Sequence, residues 1–177
     1  YLTTESRLRD LFKGGEYDSL VELRSNRRIG IGAEAGGRLG VVGMDVDVNF
    51  GPLDSATAGF GGGPGYNGLS MGWKHLFGGH AISPYASMAL TRWSSGGGSS
   101  QSGSTTPGFL GDKFLTAREK STGRFAKNFV VPAAGLQYFE LEGRSAGASL
   151  YAEVLMLVET STGDTAPTAG LGAMYYF

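Results

Sequence analysis

Apolar and polar positions alternate with a period of two along most of the chain, and the pattern is sharpest at the C-terminal end. There Ala169, Leu171, Ala173, Tyr175 and Phe177 share one face of an extended segment, and Gly170, Gly172, Met174 and Tyr176 share the other. Over residues 148–159, Leu150, Ala152, Val154, Met156 and Val158 oppose Ser149, Tyr151, Glu153, Leu155 and Leu157. Over 130–138, Val130, Pro132, Ala134, Leu136 and Tyr138 oppose Val131, Ala133, Gly135 and Gln137. Val42, Met44, Val46, Val48 and Phe50 stand against Gly43, Asp45, Asp47 and Asn49, and Ile29, Ile31, Ala33 and Ala35 against Arg28, Gly30, Gly32 and Glu34. Two further strands are predicted over 68–77 and 84–94. A first strand over 17–24 has Val21 and Leu23 outward and Glu22 and Arg24 inward. Pro132 cannot donate to a ladder, so its strand should carry a bulge or a break there.

That makes about eight strands. Tight links are expected near Gly36-Gly37, near Gly78-Gly79 and over 143–147, and long loops over 51–67 and 95–127. Short turns at one end and longer loops at the other are the habit of up-and-down barrels that cross a membrane. Before the first strand, residues 4–13 read as a short helix with Thr4 as N-cap, Leu8, Leu11 and Phe12 on one side, and Gly14-Gly15 as the stop. The predicted organisation is a helical cap over 1–15 and a barrel over 16–177, with both ends of the chain on the periplasmic side.

Composition changes this picture in only a few places. No run approaches the roughly 18 apolar residues of a spanning helix, and mean hydropathy is −0.09. A barrel escapes that test, because lipid-facing and interior residues alternate and average out. Glycine is 31 of 177 residues, far above the usual ~7%, which suits a narrow barrel whose inner wall is crowded. Lys+Arg is 15 against Asp+Glu 16, so nothing points to nucleic acid. With no cysteine, disulfides and thiolate metal sites are excluded. Tyr1-Leu2-Thr3-Thr4 has neither a basic nor an apolar leader region, so a mature or truncated form is expected.

With these parities the interior holds Glu22, Arg24, Arg28, Glu34, Asp45, Asp47, Lys74, Gln137 and Glu153. An eight-stranded barrel is just wide enough for side chains to fill, so these mixed charges should pair into a plug. Asp45-x-Asp47-x-Asn49 lacks the rest of a calcium loop, and no metal or cofactor is expected. Trp73, Phe77, Tyr85, Trp93, Tyr138, Tyr175 and Phe177 lie near predicted strand ends, where aromatic girdles meet the membrane interfaces.

The C-terminal strand, the Pro84-Tyr85-Ala86-Ser87 strand opening and the alternation of turns and loops resemble the small OmpA/OmpX-type and OmpW-like outer-membrane barrels. The resemblance implies an all-β, transmembrane, antiparallel barrel in the bacterial outer membrane, in contact with the bilayer and lipopolysaccharide. It also implies that Tyr175 and the terminal Phe177 are read by the assembly machinery. Some barrels of this size modify lipids, but a serine hydrolase needs a base beside its serine and a partner for the base. The two histidines sit badly for that: His80-Ala-Ile-Ser83 has the wrong spacing, and His75 has no close serine on its strand. The expected role is structural or adhesive, with a protein partner at the outer loops or at the N-terminal helix. The alternatives are an OmpW-like conduit for small or apolar molecules, a lipid-modifying enzyme, and a soluble ligand carrier with the faces reversed.

Overall fold

The alternating segments close on themselves. The computed structural model describes residues 14–96 and 108–177, in which eight antiparallel strands form one closed barrel in chain order. They are β1 (Ile29–Gly36), β2 (Val42–Asn49), β3 (Asp54–Gly63), β4 (Tyr66–Leu76), β5 (Ile82–Ser95), β6 (Ala126–Phe139), β7 (Ala148–Glu159) and β8 (Thr165–Tyr176). β8 pairs with β1 to seal the wall, and the seam ends where Ile29 and Phe177 exchange backbone hydrogen bonds of 3.3 and 2.9 Å.

Two predicted segments change character. Residues 17–24 do not form a strand: Leu20–Asn26 is a helix, α1. Ser19 accepts from the Glu22 backbone N–H at 3.2 Å, and the Glu22 carboxylate accepts from Asp18 N–H at 2.9 Å. This Ser-x-x-Glu arrangement is close to a capping box, with the Glu22 carboxylate reaching one residue before the Ser19 cap. The buried positions, Leu20, Leu23 and Arg24, follow a helical spacing and not a period of two. Residues 51–67, expected as a loop, contain β3. Its outward residues are Ala56, Ala58 and Phe60 and its inward ones Ser55, Thr57 and Gly59. The contrast between small residues is so slight that the alternation reads as a loop. The strand count survives, but the parity of the links does not. Residues 37–41 join β1 to β2 at the end opposite Gly78-Gly79, not beside it.

One end, the terminal end, therefore carries α1, Phe177 and the links 50–53, 77–81 and 140–147. The other, the long-loop end, carries 37–41, 64–65, 96–125 and 160–164. A two-residue bridge, Gly15–Glu16 with Glu142–Gly143, ties the N-terminal segment to the terminal end. In the long loop a helical turn over Leu110–Phe114 precedes a second helix, α2 (Ala117–Thr122), capped by Thr116. The helix predicted over 4–13 lies outside the described residues, as does most of the Gly/Ser-rich stretch over 94–106.

The wall is apolar outside. Val42, Phe60, Leu69, Met71, Val154 and Leu171 are each at least 60% exposed. In a soluble domain such a belt would be an aggregation hazard, because exposed apolar patches rarely exceed a few hundred Å². Against lipid it is the required surface.

Candidate functional site

The interior is built by the inward half of each alternation. The turn between β1 and β2 shapes its centre: Gly36, Gly37 and Gly40 have φ of 71°, 80° and 115°. That left-handed path, open to glycine alone at little strain, folds the turn back into the barrel and buries Arg38 and Leu39. Arg38 Nη2 donates to Asp45 Oδ1 at 2.9 Å, and the Arg38 carbonyl accepts from Trp93 Nε1 at 2.9 Å. Glu34 Oε1 accepts from the Leu39 backbone N–H at 3.1 Å. The Tyr151 hydroxyl lies 3.0 Å from both Glu34 Oε2 and Asp45 Oδ2, with one proton to give. Tyr85 donates to Glu153 Oε2 at 2.7 Å.

Nearer the terminal end, Lys74 pairs with Asp47, which also accepts from the Tyr176 hydroxyl at 2.7 Å. Gln137 Nε2 donates to Ser149 Oγ at 2.7 Å. Arg24 Nη2, reaching in from α1, donates to Asn49 Oδ1 at 2.7 Å, and Asn49 Nδ2 donates to the Arg27 carbonyl at 3.1 Å. Burial pulls the Arg24 guanidinium below its usual value, opposed by Tyr176, Asp47 and Asp54, and an arginine keeps its charge through such a change. Asp45, Asp47 and Asn49 are thus each engaged by a cation or a hydroxyl from another element.

Glycines seat the large side chains. A Cβ on Gly172 would lie 2.4 Å from the Tyr151 ring, and one on Gly30 would lie 2.6 Å from the Tyr176 ring. Above the charged layer, towards the long-loop end, Tyr66, Trp93, Phe114, Phe125, Phe129 and Leu157 form an apolar cluster. Below it, Leu20, Leu23, Leu76, Phe139 and Tyr176 form another.

Glu34, Asp45, Asp47, Lys74, Gln137 and Glu153 therefore face the interior, and Arg24 reaches it from a helix. Two expected interior charges do not. Glu22 is exposed on α1 because its turn is helical, and Arg28 is exposed at the mouth, its Nε 3.3 Å from the Ser25 carbonyl. Arg38, the cation at the centre of the network, was not among the expected residues. The signal for it was the triple-glycine frame Gly36-Gly37-Arg38-Leu39-Gly40, which reads first as a plain tight link.

Tyr85 and Trp93 are also corrections. Both are buried, 3% and 0% exposed, and face inward. Ile82, Pro84, Met88 and Leu90 take the outside of β5, so the intervening positions turn in, whatever their distance from the strand end. Of the remaining aromatics, Trp73, Phe77 and Tyr138 are exposed, and Tyr175 and Phe177 half-buried. All five sit at the terminal end. There Tyr17 and Tyr175 flank Arg27, whose guanidinium carbon lies 5.6 and 5.8 Å from their ring centroids. His75 Nδ1 is 2.8 Å from Asp54 Oδ1 at the same end, and the Ser83 hydroxyl, with one proton to give, lies 3.0 and 2.8 Å from the Gly78 and His80 carbonyls, not on an imidazole.

The layered interior predicts a simple contrast. Glu153→Leu strips Tyr85 of its acceptor and should lower unfolding stability by about 1–3 kcal/mol. Val154→Leu, next door and lipid-facing, should change it by less than about 0.5 kcal/mol. Urea titration of both variants in the same detergent checks this; equal losses would mean that the faces are assigned wrongly.

A closed eight-stranded antiparallel wall, apolar outside and charged within, is the fold of the small outer-membrane barrels. The N-terminal β-barrel domain of Pseudomonas aeruginosa OprF shares it, with TM-score 0.59 and 17% sequence identity, covering 85% of this chain and 98% of that one. A looser likeness is to the outer-membrane protein Ail of Yersinia pestis in a phospholipid nanodisc, with TM-score 0.46 and 13% identity, covering 85% of this chain and 99% of that one. No protein-family model and no curated protein sequence matches the chain.

Proposed function

We propose that this chain is a bacterial outer-membrane barrel whose interior is closed to solutes and whose role is structural or adhesive. The carrying observation is the reversed polarity of the wall: Val154 is 66% exposed while its neighbour Glu153 is 4% exposed, a pattern that is stable in lipid and unstable in water. The terminal end is the periplasmic one. The long loop leaves from the opposite end, and longer loops face outward in such barrels. The charges agree: Lys113, Arg118, Lys120, Arg124 and Lys127 outnumber Asp112 and Glu119 on the long loop and the start of β6, whereas at the terminal end Glu16, Asp18, Glu22, Asp54, Glu140 and Glu142 outnumber Arg24, Arg27, Arg28 and Arg144. A basic outer rim suits the phosphate-bearing surface of lipopolysaccharide. The N-terminal segment before α1 then serves as a periplasmic cap, and Tyr175 and Phe177 as the signal for the assembly machinery. Partners meet the barrel at the long-loop end.

Closure follows from the side chains that fill the bore: the aromatic cluster, the Arg38–Asp45 layer, the Lys74–Asp47 layer and α1. In planar bilayers the protein should give no sustained conductance above that of the bare membrane. A steady ohmic channel in the wild type would overturn the closed reading.

One observation favours a second reading, an exit for apolar molecules through the wall. The ladder between β6 and β7 runs through Val130↔Val158 and resumes at Ala133↔Leu155, skipping two steps, at Val131 and Pro132. The interior beside that gap, with Val131, Leu155 and Leu157, is apolar. If the gap is an exit, vesicles bearing the protein should take up an apolar fluorophore faster than bare vesicles, and Pro132→Val should remove the gain. Equal uptake by both kinds of vesicle leaves the closed barrel.

A further inference from the structure

We propose that Arg92 heads a binding groove on the lipid-facing wall for a phosphorylated, acylated glycolipid of the outer leaflet, of the lipid A class. The inference rests on the membrane reading above and adds to it a site and a ligand.

Arg92 is an anomaly on the outer face of β5. It follows Met88 and Leu90 on the lipid side, is exposed, and has no hydrogen bond or ion pair among the described residues. Its cross-strand neighbours are Leu69 on β4 and Asn128 on β6. Arg92, Asn128 and Thr160 stand at one end of a cavity of about 720 Å³ whose outer walls are apolar, with Leu90, Met71, Phe60, Ala58, Met44 and Val46, and whose lining also includes the inward-facing Asp45, Ser70 and Thr91.

The direction of this groove matters. It follows the rows of cross-strand partners, Ile31↔Val46↔Ala58↔Met71↔Leu90 and Met44↔Phe60↔Leu69↔Arg92↔Asn128. Strands in such a barrel tilt by about 35–45°, so a row at right angles to them climbs the wall. It starts at Ile31, near the terminal end, and rises to Asn128 and Thr160 at the long-loop end. Gly59 and Ser70 form its floor, and Ala58, small between Val46 and Met71, keeps it open.

A groove that is apolar along its length and cationic at its upper end fits an amphiphile with an anionic head and acyl chains pointing to the bilayer centre. Arginine forks onto phosphate through paired N–H donors, and Asn128 and Thr160 supply further hydrogen-bonding groups. The head lies at the outer-leaflet level, because Arg92 is on the long-loop side. Arg124, exposed one residue before Phe125, belongs to the same rim, since Phe125 N–H donates to Ser95 Oγ at the end of β5. Two arginines on one rim suit a head with more than one phosphate. The aromatic ring at the opposite end marks the other leaflet, and two arginines there are engaged: Arg27 between Tyr17 and Tyr175, and Arg28 on the Ser25 carbonyl.

The test is native mass spectrometry of the intact, detergent-folded protein with three added lipids: bisphosphorylated lipid A, its dephosphorylated form and phosphatidylglycerol. The wild type should retain one lipid A at about tenfold lower concentration than either of the others. Arg92→Gln should raise the concentration needed about tenfold, and Arg92→Lys should recover part of the loss. Ala58→Phe, which fills the groove but keeps the arginine, should also weaken retention. The idea is overturned if Arg92→Gln binds lipid A as the wild type does, if dephosphorylated lipid A is held equally well, or if phosphatidylglycerol competes on equal terms. A heat-modifiable, detergent-dependent protein that shows no preference would sink this inference and leave the barrel reading standing.

Discussion

Arg38→Met should lower the unfolding free energy of the barrel by about 3–5 kcal/mol, the usual penalty for removing one partner of a buried pair. Arg38 is the cation that faces Asp45, and Glu34 and Glu153 complete the carboxylates around it. Without it, three carboxyl groups share one water-poor layer, with the Tyr85 and Tyr151 hydroxyls and the Leu39 backbone N–H as the donors left to them. The double variant Arg38→Met/Asp45→Asn should recover part of the loss, because the orphaned charge is gone. Urea unfolding in a fixed detergent, followed by tryptophan fluorescence, reads both. A loss below about 1 kcal/mol for the single variant would mean that water already reaches this layer. The bore would then be open, and the closed reading would fail with it.

Val154→Arg should destabilise the barrel by about 2–4 kcal/mol, the range for an arginine facing the bilayer midplane. Val154 lies in the middle of β7 and is 66% exposed. On a soluble protein the same surface change would move stability by no more than about 0.5 kcal/mol. Placing the arginine at residue 169 on β8, the ladder partner of Val154, should have a similar effect. Placed at Thr160, beside Arg92 at the rim, it should be close to neutral. Reversible unfolding from lipid vesicles gives the depth profile. A flat profile would mean that the outward face meets water.

The wall was legible in the sequence because it rests on a strong signal. A one-residue slip in β7 or β8 would expose Glu153 or Tyr176 to lipid and bury Val154 or Leu171, so the alternation had to be kept. Where a strand can be built from residues of little contrast, the signal vanishes. β3 alternates alanine with serine, threonine and glycine up to Phe60, and over that stretch its ladder partners, Val48 and Trp73 at Ala56, show it as wall. The helix α1 was hidden for a different reason. Val21-Glu22-Leu23-Arg24 alternates like a strand, and only the Ser19–Glu22 cap and the Leu20–Leu23 spacing tell otherwise.

The interior charges on β1, β2, β4 and β7 followed from parity alone. Arg38 did not, because a side chain carried inward by a turn leaves no periodic trace. Distance from the strand ends points Tyr85 and Trp93 outward, whereas the aliphatic residues on β5 fix the opposite face for them. Parity is the stronger rule in a barrel. Proximity to a strand end counts only for residues whose face is known.

The central claim is that the wall meets lipid, and the most direct measurement is mobility on a gel with and without boiling, together with detergent removal. The account predicts a folded species that migrates differently from the boiled one, keeps that mobility in detergent, and precipitates or unfolds when detergent is withdrawn. A protein that stays monomeric, folded and soluble without detergent would contradict it, because Val42, Phe60, Leu69, Val154 and Leu171 could not then face outward.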